Sequence, residues 1–147
     1  MMEAQNDTTE TGMSEAAFIR SATYLLVPDV SALGSYYGEV IGLQCDYSAG
    51  EPAEFAIYSR GGLAIMLRRT ANVDLICPIE KQGGTWDVFT WVADVEALHR
   101  ELAGRGADVI YTPVVQPYGI KEFAVRDPVG YVLGFGQQWP ATGDSSS

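Results

Sequence analysis

The chain has 147 residues, 47% of them hydrophobic, and its 9 Lys and Arg stand against 19 Asp and Glu for a net charge of −10. That length fits one domain with a real core. The acidic balance argues against nucleic acid as a partner, because phosphate recognition needs clustered Lys and Arg.

No apolar run approaches the roughly 20 residues that cross a membrane, and the start lacks the basic and apolar stretches of a secretory leader. The expectation is a cytoplasmic protein that binds neither membrane nor nucleic acid. The two cysteines, Cys45 and Cys77, have no CxxC spacing and read as free thiols. A single histidine, His99, removes histidine-rich metal sites. Part of the charge is local: without Glu3, Asp7, Glu10, Glu15 and Asp144, 14 acids and 9 bases remain, a balance of −5.

In chain order, residues 1–16 read as a disordered acidic tail, 17–139 as one domain of two modules, and 140–147 as a second disordered tail. The first module, 17–70, opens with a strand over Ser21–Val27. Asp29 is placed to cap a helix, and Val30, Leu33, Tyr37 and Val40 follow at helical spacing until Gly42. A strand at Leu43–Tyr47 comes next, then two strands joined by a tight turn at Gly61-Gly62. Residues 71–84, with Pro78 and Gly83-Gly84, read as a linker. The second module, 85–139, repeats the order: strand Thr85–Val92, Asp94 as cap, and a helix marked by Val95, Leu98 and Leu102 and ended by Gly104. Strand Asp108–Thr112 is expected to stop at Pro113, and two last strands flank Asp127-Pro128-Val129-Gly130.

The two halves match each other. VPDVSAL from Val27 returns as VADVEAL from Val92, 65 residues on, and EFAIYSRGGLAIML from Glu54 returns as EFAVRDPVGYVLGF from Glu122, 68 residues on. Two matches in the same order, three residues apart in offset, describe a duplicated βαβββ module with one small change of loop length. The fold class is α+β.

Strand-x-Asp-helix followed by EFAVRDPVGYVLGF resembles the closing half of vicinal oxygen chelate domains, the superfamily of glyoxalases, bleomycin-resistance proteins and extradiol dioxygenases. The resemblance covers residues 19–138 or so. It implies two modules forming a half-open barrel with helices outside and a ligand in the concave cavity. It also implies four metal-ligand positions, which here are Ala22, Met66, Asp87 and Gly134, and only Asp87 can coordinate. One carboxylate cannot hold a catalytic metal that needs three or more protein ligands. Glyoxalase I, extradiol dioxygenase and fosfomycin-modifying activities are therefore not expected, and no metal or other cofactor is assigned. The bleomycin-resistance branch has lost the metal in the same way. Its members sequester drugs without chemistry, typically as acidic dimers with aromatic clefts for flat cationic ligands. WDVFTWVADVEAL and QPYGIKEFAVRDPVGYVLGF carry the likeness to it. A homodimer in which two chains complete each cavity is the implied assembly.

Strand alternation assigns side chains to the cavity face. Asp87, Phe89 and Trp91 share one face, with Val88, Thr90 and Val92 toward the helices. The expected cavity set from the other strands is Ala22, Tyr24 and Leu26; Glu54, Ala56 and Tyr58; Ala64, Met66 and Arg68; and Glu122, Ala124 and Arg126. The ligand-binding candidates are Tyr24, Tyr58, Met66, Arg68, Asp87, Phe89, Trp91, Tyr118 and Glu122, with rings to stack on a planar or cationic ligand. Core packing is the competing account of the aromatics. Tyr118, in QPYG, is either a lid or a surface loop residue, and Trp86 is expected at a module or dimer interface.

Asp87 could anchor a ligand amine, serve as a base, or sit hydrogen-bonded at the cleft mouth. Glu54 and Glu122 hold equivalent repeat positions. They could divide acid and base roles or pair with Arg68, Arg126 or Lys121. Asp87, Glu122 and Glu54 are thus candidates for catalysis, with none assigned. Arg126 and Asp127 read as structural parts of the RDP turn, and His99 as a surface or edge residue. Three functions follow: a metal-free binding protein for a small aromatic or cationic molecule, plausibly in antibiotic self-resistance; a metal-independent lyase, isomerase or cyclase with a carboxylate base; or an interaction module whose cavity is filled by its own side chains.

Overall fold

A computed structural model describes residues 15–141. The expected tails fall outside it as far as residue 14 and from residue 142 onward.

β1 (Ser21–Val27) leads to Asp29, whose extended backbone and carboxylate, accepting from Ala32 N at 3.0 Å, start α1 (Val30–Glu39). Asp94 does the same for α2 (Val95–Gly104), accepting from Ala97 N at 3.1 Å. Each cap satisfies one orphan N–H and contributes about 1 kcal/mol. The first sheet adds β2 (Gln44–Ala49), β3 (Phe55–Arg60) and β4 (Leu63–Arg69). The second holds β5 (Val88–Trp91), β6 (Asp108–Val115), β7 (Ile120–Arg126) and β8 (Val132–Gln138). The strand orders are β1-β4-β3-β2 and β5-β8-β7-β6, so the topology repeats with the sequence. In each sheet the first strand runs parallel to the last and the other pairs are antiparallel.

The α+β class with two modules is the expected one, and the two sheets remain separate without closing a barrel. Pro113 does not end its strand. β6 runs on to Val115, and register shifts on either side of Tyr111 absorb the irregularity. Because β6 is an outer strand, Pro113 costs no ladder bond toward a missing neighbour. β5 is shorter than Thr85–Val92.

The modules meet through their helix sides. Leu25 and Val27 of β1, Leu33 and Tyr37 of α1, Ile65 and Leu67 of β4, Val95 and Leu102 of α2, and Phe123, Leu133 and Phe135 of the second sheet form one apolar cluster. Polar locks surround it. Arg60 grips Glu101 through two bonds of 2.9 and 3.0 Å. The Tyr131 hydroxyl donates to Leu26 O at 2.6 Å.

The main lock is Asp127. Its Oδ1 accepts from Val129 N, Gly130 N and Tyr131 N, each at 2.9 Å, shaping the RDPVG turn. Its Oδ2 takes the Tyr37 hydroxyl of the other module at 2.6 Å. Burial pushes the Asp127 carboxyl above its ordinary value, against the lowering effect of those four donors. Arg126 likewise serves structure, holding the Glu80 carboxylate of the 71–84 segment through bonds of 2.9–3.2 Å.

Candidate functional site

With the helix sides in the core, each sheet turns its other face outward. The ladder decides which residues stand there. In the first module Ile65 and Leu67 point to the core, so their partners across the ladder, Tyr58 and Ala56, point there too. Tyr58 lies under α1, its phenol against Gly34. The open face instead carries Phe55, Ile57 and Ser59, paired with Arg68, Met66 and Ala64. Tyr58 is thus moved off the expected face, and with it Ala56 and Glu54; Glu54 is exposed, 4.0 Å from Arg69.

The cause is one residue. Phe55 pairs with Arg68, and the corresponding pair of the second module is Glu122 with Gly136, a span longer by one. The structural counterpart of Glu122 is therefore Phe55, not Glu54. A shift of one along a strand moves every side chain to the opposite face.

Tyr24, Met66 and Arg68 do stand together on the first open face. Arg68 Nε donates to the Tyr24 hydroxyl at 3.1 Å, and its guanidinium lies 5.2 Å from the centre of the Phe55 ring. Tyr24 is 54% exposed, so among the described residues nothing covers the group.

On the second module the alternation holds. Phe89 pairs with Gly134 and Trp91 with Gly136, facing outward. The two glycines leave bare backbone on which rings lie. A Cβ at Gly134 would come within 2.5 Å of Trp86 and 2.8 Å of Phe89, and one at Gly136 within 2.6 Å of Phe89. Trp86, Phe89 and Trp91 form a continuous shelf with ring centres 4.6 and 5.2 Å apart, Trp91 standing edge-on and 61% exposed. Trp86 thus belongs to the aromatic face.

Beside the shelf sits Glu122, 1% exposed. Its Oε2 accepts the Tyr111 hydroxyl and its Oε1 the Tyr118 hydroxyl, both at 2.7 Å, while Trp86 Nε1 donates to Tyr111 at 3.0 Å. Burial and the neighbouring carboxylate push the Tyr118 phenol up to about 12. Tyr111 was not among the residues expected from sequence. The register shifts of β6 hide its alternation, and only the ladder pairing with Ala124 places it on this face.

Asp87 is committed elsewhere. Its Oδ1 accepts from Ile79 N at 2.9 Å and its Oδ2 from Val132 N at 2.8 Å, so it fastens the 71–84 segment to the start of β8. Of the four positions that carry metal in the resembling domains, Ala22 and Gly134 offer no donor and Met66 only a thioether. Asp87 has both oxygens occupied, so this donor set does not fit a catalytic metal. Among the described residues no group of three or more His, Cys, Asp and Glu comes together to hold one.

A separate cleft of about 390 Å³ opens at the module junction, between the Gly61-Gly62 turn and the start of α2. Of the expected ligand-binding residues it includes only Trp91. Of its charged members, Arg60 and Glu101 pair with each other and Asp94 caps α2 through Ala97 N. His99 lies on α2, edge-on to Phe123 at 5.3 Å, on the core side of the second sheet.

Comparison with known proteins agrees with this fold. Residues 18–135 match the model of the Glyoxalase/Bleomycin resistance protein/Dioxygenase superfamily. Among solved structures, the bleomycin-binding protein of bleomycin-producing Streptomyces verticillus, in complex with copper(II)-bleomycin, is 30% identical, with TM-score 0.60 over 82% of this chain and 96% of that one. TioX from Micromonospora sp. ML1 is 23% identical, with TM-score 0.65 over 81% and 98%. A glyoxalase-related enzyme from Clostridium phytofermentans shares 14% identity, with TM-score 0.64 over 85% and 99%. Among curated proteins none matches. The repeated module, the ladder order and the matched span together make this chain a member of the glyoxalase/bleomycin resistance protein/dioxygenase superfamily, that of the vicinal oxygen chelate proteins.

Proposed function

We propose that this is a metal-free binding protein of the bleomycin-resistance type, which sequesters a small aromatic or cationic molecule on the open face of its second module. The observation that carries the reading is the aromatic shelf of Trp86, Phe89 and Trp91 laid on the bare backbone of Gly134 and Gly136. A run of inclined rings at an outward face offers both faces and edges to an aromatic ligand. The likeness to a protein that holds copper(II)-bleomycin supports a drug as the ligand, and antibiotic self-resistance in the cytoplasm as the use. A homodimer fits the bare first face as well: Tyr24, Phe55, Met66 and Arg68 of one chain would close over the shelf of another.

The carboxylate-base alternative retains one candidate. Asp87 is held by two backbone N–H groups and Glu54 stands in solvent, which leaves the buried Glu122. A lyase, isomerase or cyclase of that kind would show turnover that Glu122→Gln abolishes while binding survives.

The test is a titration with bleomycin and other planar cationic antibiotics, following tryptophan fluorescence with EDTA present. The expected outcome is saturable quenching that persists with the chelator and weakens about 3–10-fold in Trp91→Ala, the equivalent of one aromatic contact. No response across the panel would sink the reading.

A further inference from the structure

The second module buries an acidic side chain that the fold does not need. Glu122 and Asp127 are the two buried acidic side chains among the described residues, and they are not alike. Asp127 collects four donors and knits the two modules together. Glu122 receives two phenols and no cation. The basic residues flanking it in β7 turn elsewhere, Lys121 to Glu96 and Arg126 to Glu80, and among the described residues no Lys, Arg or His comes within ion-pair range. A carboxylate so placed gives up its hydration, which two neutral hydrogen bonds only partly replace. The first module shows that the architecture manages without it, because the structural counterpart of Glu122 is Phe55.

One of the two phenols stands on an exposed turn. Tyr118 lies on the turn between β6 and β7, where Gln116 N and Gly119 N close short backbone loops and Gly119 takes φ +84°. The residue is 57% exposed although its hydroxyl reaches a buried oxygen. Tyr111, by contrast, is fixed from behind by Trp86.

Resting on the binding function proposed above and going further into the same face, we infer that Glu122 is the ligand's charge anchor, masked in the free protein by Tyr118. A protonated amine or guanidinium on the ligand displaces the Tyr118 hydroxyl from Oε1 and pairs with the carboxylate, while the aromatic part of the ligand lies on the shelf. Tyr111 stays on Oε2 and holds the carboxylate in place. No bond is made or broken, and the proton on the ligand nitrogen remains there. The ligand class that fits is an aromatic system with a cationic arm one or two bonds from the ring. The nearness of Glu122 to Trp86, each bonded to the same Tyr111 hydroxyl, sets that reach.

The experiment compares two probes of nearly equal shape by isothermal titration calorimetry: 1-naphthylmethylammonium, which is charged at pH 7, and 1-naphthalenemethanol, which is not. The wild-type protein is expected to bind the ammonium at least about 10-fold more tightly, a difference of about 1.4 kcal/mol. Glu122→Gln, checked for folding by its thermal transition, is expected to bring the two probes to within about 2-fold. Tyr118→Phe keeps the carboxylate and removes its competitor, so it is expected to bind the ammonium several-fold more tightly than the wild type. Equal binding of the two probes by the wild type, or a preference that survives Glu122→Gln, overturns the anchor and leaves the aromatic shelf standing. A fall in ammonium affinity in Tyr118→Phe overturns the masking. Failure of both probes to bind overturns this inference and the binding function together.

Discussion

Replacing Tyr37 by Phe removes a single oxygen atom, and the structure sets the consequence. Tyr37 is fully buried, and among the described residues its hydroxyl is the sole donor to Asp127 Oδ2, at 2.6 Å, while the three backbone N–H groups of the turn all reach Oδ1. Phe leaves a buried carboxylate oxygen without a partner and opens a gap no larger than that atom. Losing a hydrogen bond to a charged group costs about 1.5–3 kcal/mol. With an unfolding entropy of about 2.1 cal/mol/K per residue, the 127 described residues give roughly 0.27 kcal/mol/K, so the transition should fall by about 6–11 °C.

The effect also has a pH signature. Burial already raises the Asp127 carboxyl and the Tyr37 bond lowers it, so the variant raises it further. A carboxyl raised in the folded state makes that state hold its proton longer than the unfolded chain does. Stability is therefore gained as pH falls through the raised value, and the deficit of Tyr37→Phe should shrink in acid. Thermal melts at pH 7 and at acidic pH, with Tyr36→Phe as control, check both points. The Tyr36 hydroxyl contacts Arg126 O at 3.4 Å, so the control should lose under about 0.5 kcal/mol. A Tyr37→Phe transition within about 2 °C of wild type, or a control that loses as much, would refute Asp127 as the lock between modules.

Other substitutions separate the face from the frame. Gly134→Ala drives a methyl into the Trp86 and Phe89 rings at 2.5–2.8 Å and should destabilise by about 1–3 kcal/mol while shifting the tryptophan emission; an unchanged spectrum would contradict the stacked shelf. Asp87→Asn puts an N–H donor against one of two backbone donors, so a loss of about 1–3 kcal/mol is expected in urea unfolding, with affinity for the naphthyl probes unaltered. Glu101 is held below the ordinary carboxylate range, first by the Arg60 bond, so its contribution is present above that range and lost as pH falls through its lowered value. Because both partners are about a third exposed, Glu101→Gln should cost under about 1 kcal/mol at pH 7 and nothing measurable in acid, as read from urea midpoints at the two pH values.

The local signals of the sequence were legible where one physical cause acts alone. Asp29 and Asp94 announce helices because a carboxylate three residues ahead of a backbone N–H can cap it. Val95, Leu98 and Leu102 follow from helical period. Phe89 and Trp91 follow from alternation along a strand with a glycine-rich neighbour. Tyr58 and Glu54 were misplaced because the letters EFA align Glu54 with Glu122, whereas the ladder aligns Phe55 with it. The extra residue between the last two strands of the second module decides the face, and the short Gly61-Gly62 turn was the signal for it. For Asp87 the hydrogen-bonded reading was open, but its partners lay beyond sequence reading. Its partners, Ile79 N and Val132 N, are backbone groups 8 and 45 residues away, and nothing in residue type marks them.

The single core shared by the two halves has a consequence for how such a protein changes over generations. Most of the side chains that hold it together lie on the helix side, while the outward rings and charges stand on the opposite side of the same strands. Mutations at the exposed Tyr24, Arg68 or Trp91 therefore alter what the surface greets with little toll on folding. Neither half can drift far in its inward residues without loosening the other. The architecture separates what may vary from what must persist by the parity of position along a strand. A new ligand can be acquired by repainting alternate residues on a scaffold that stays as it was.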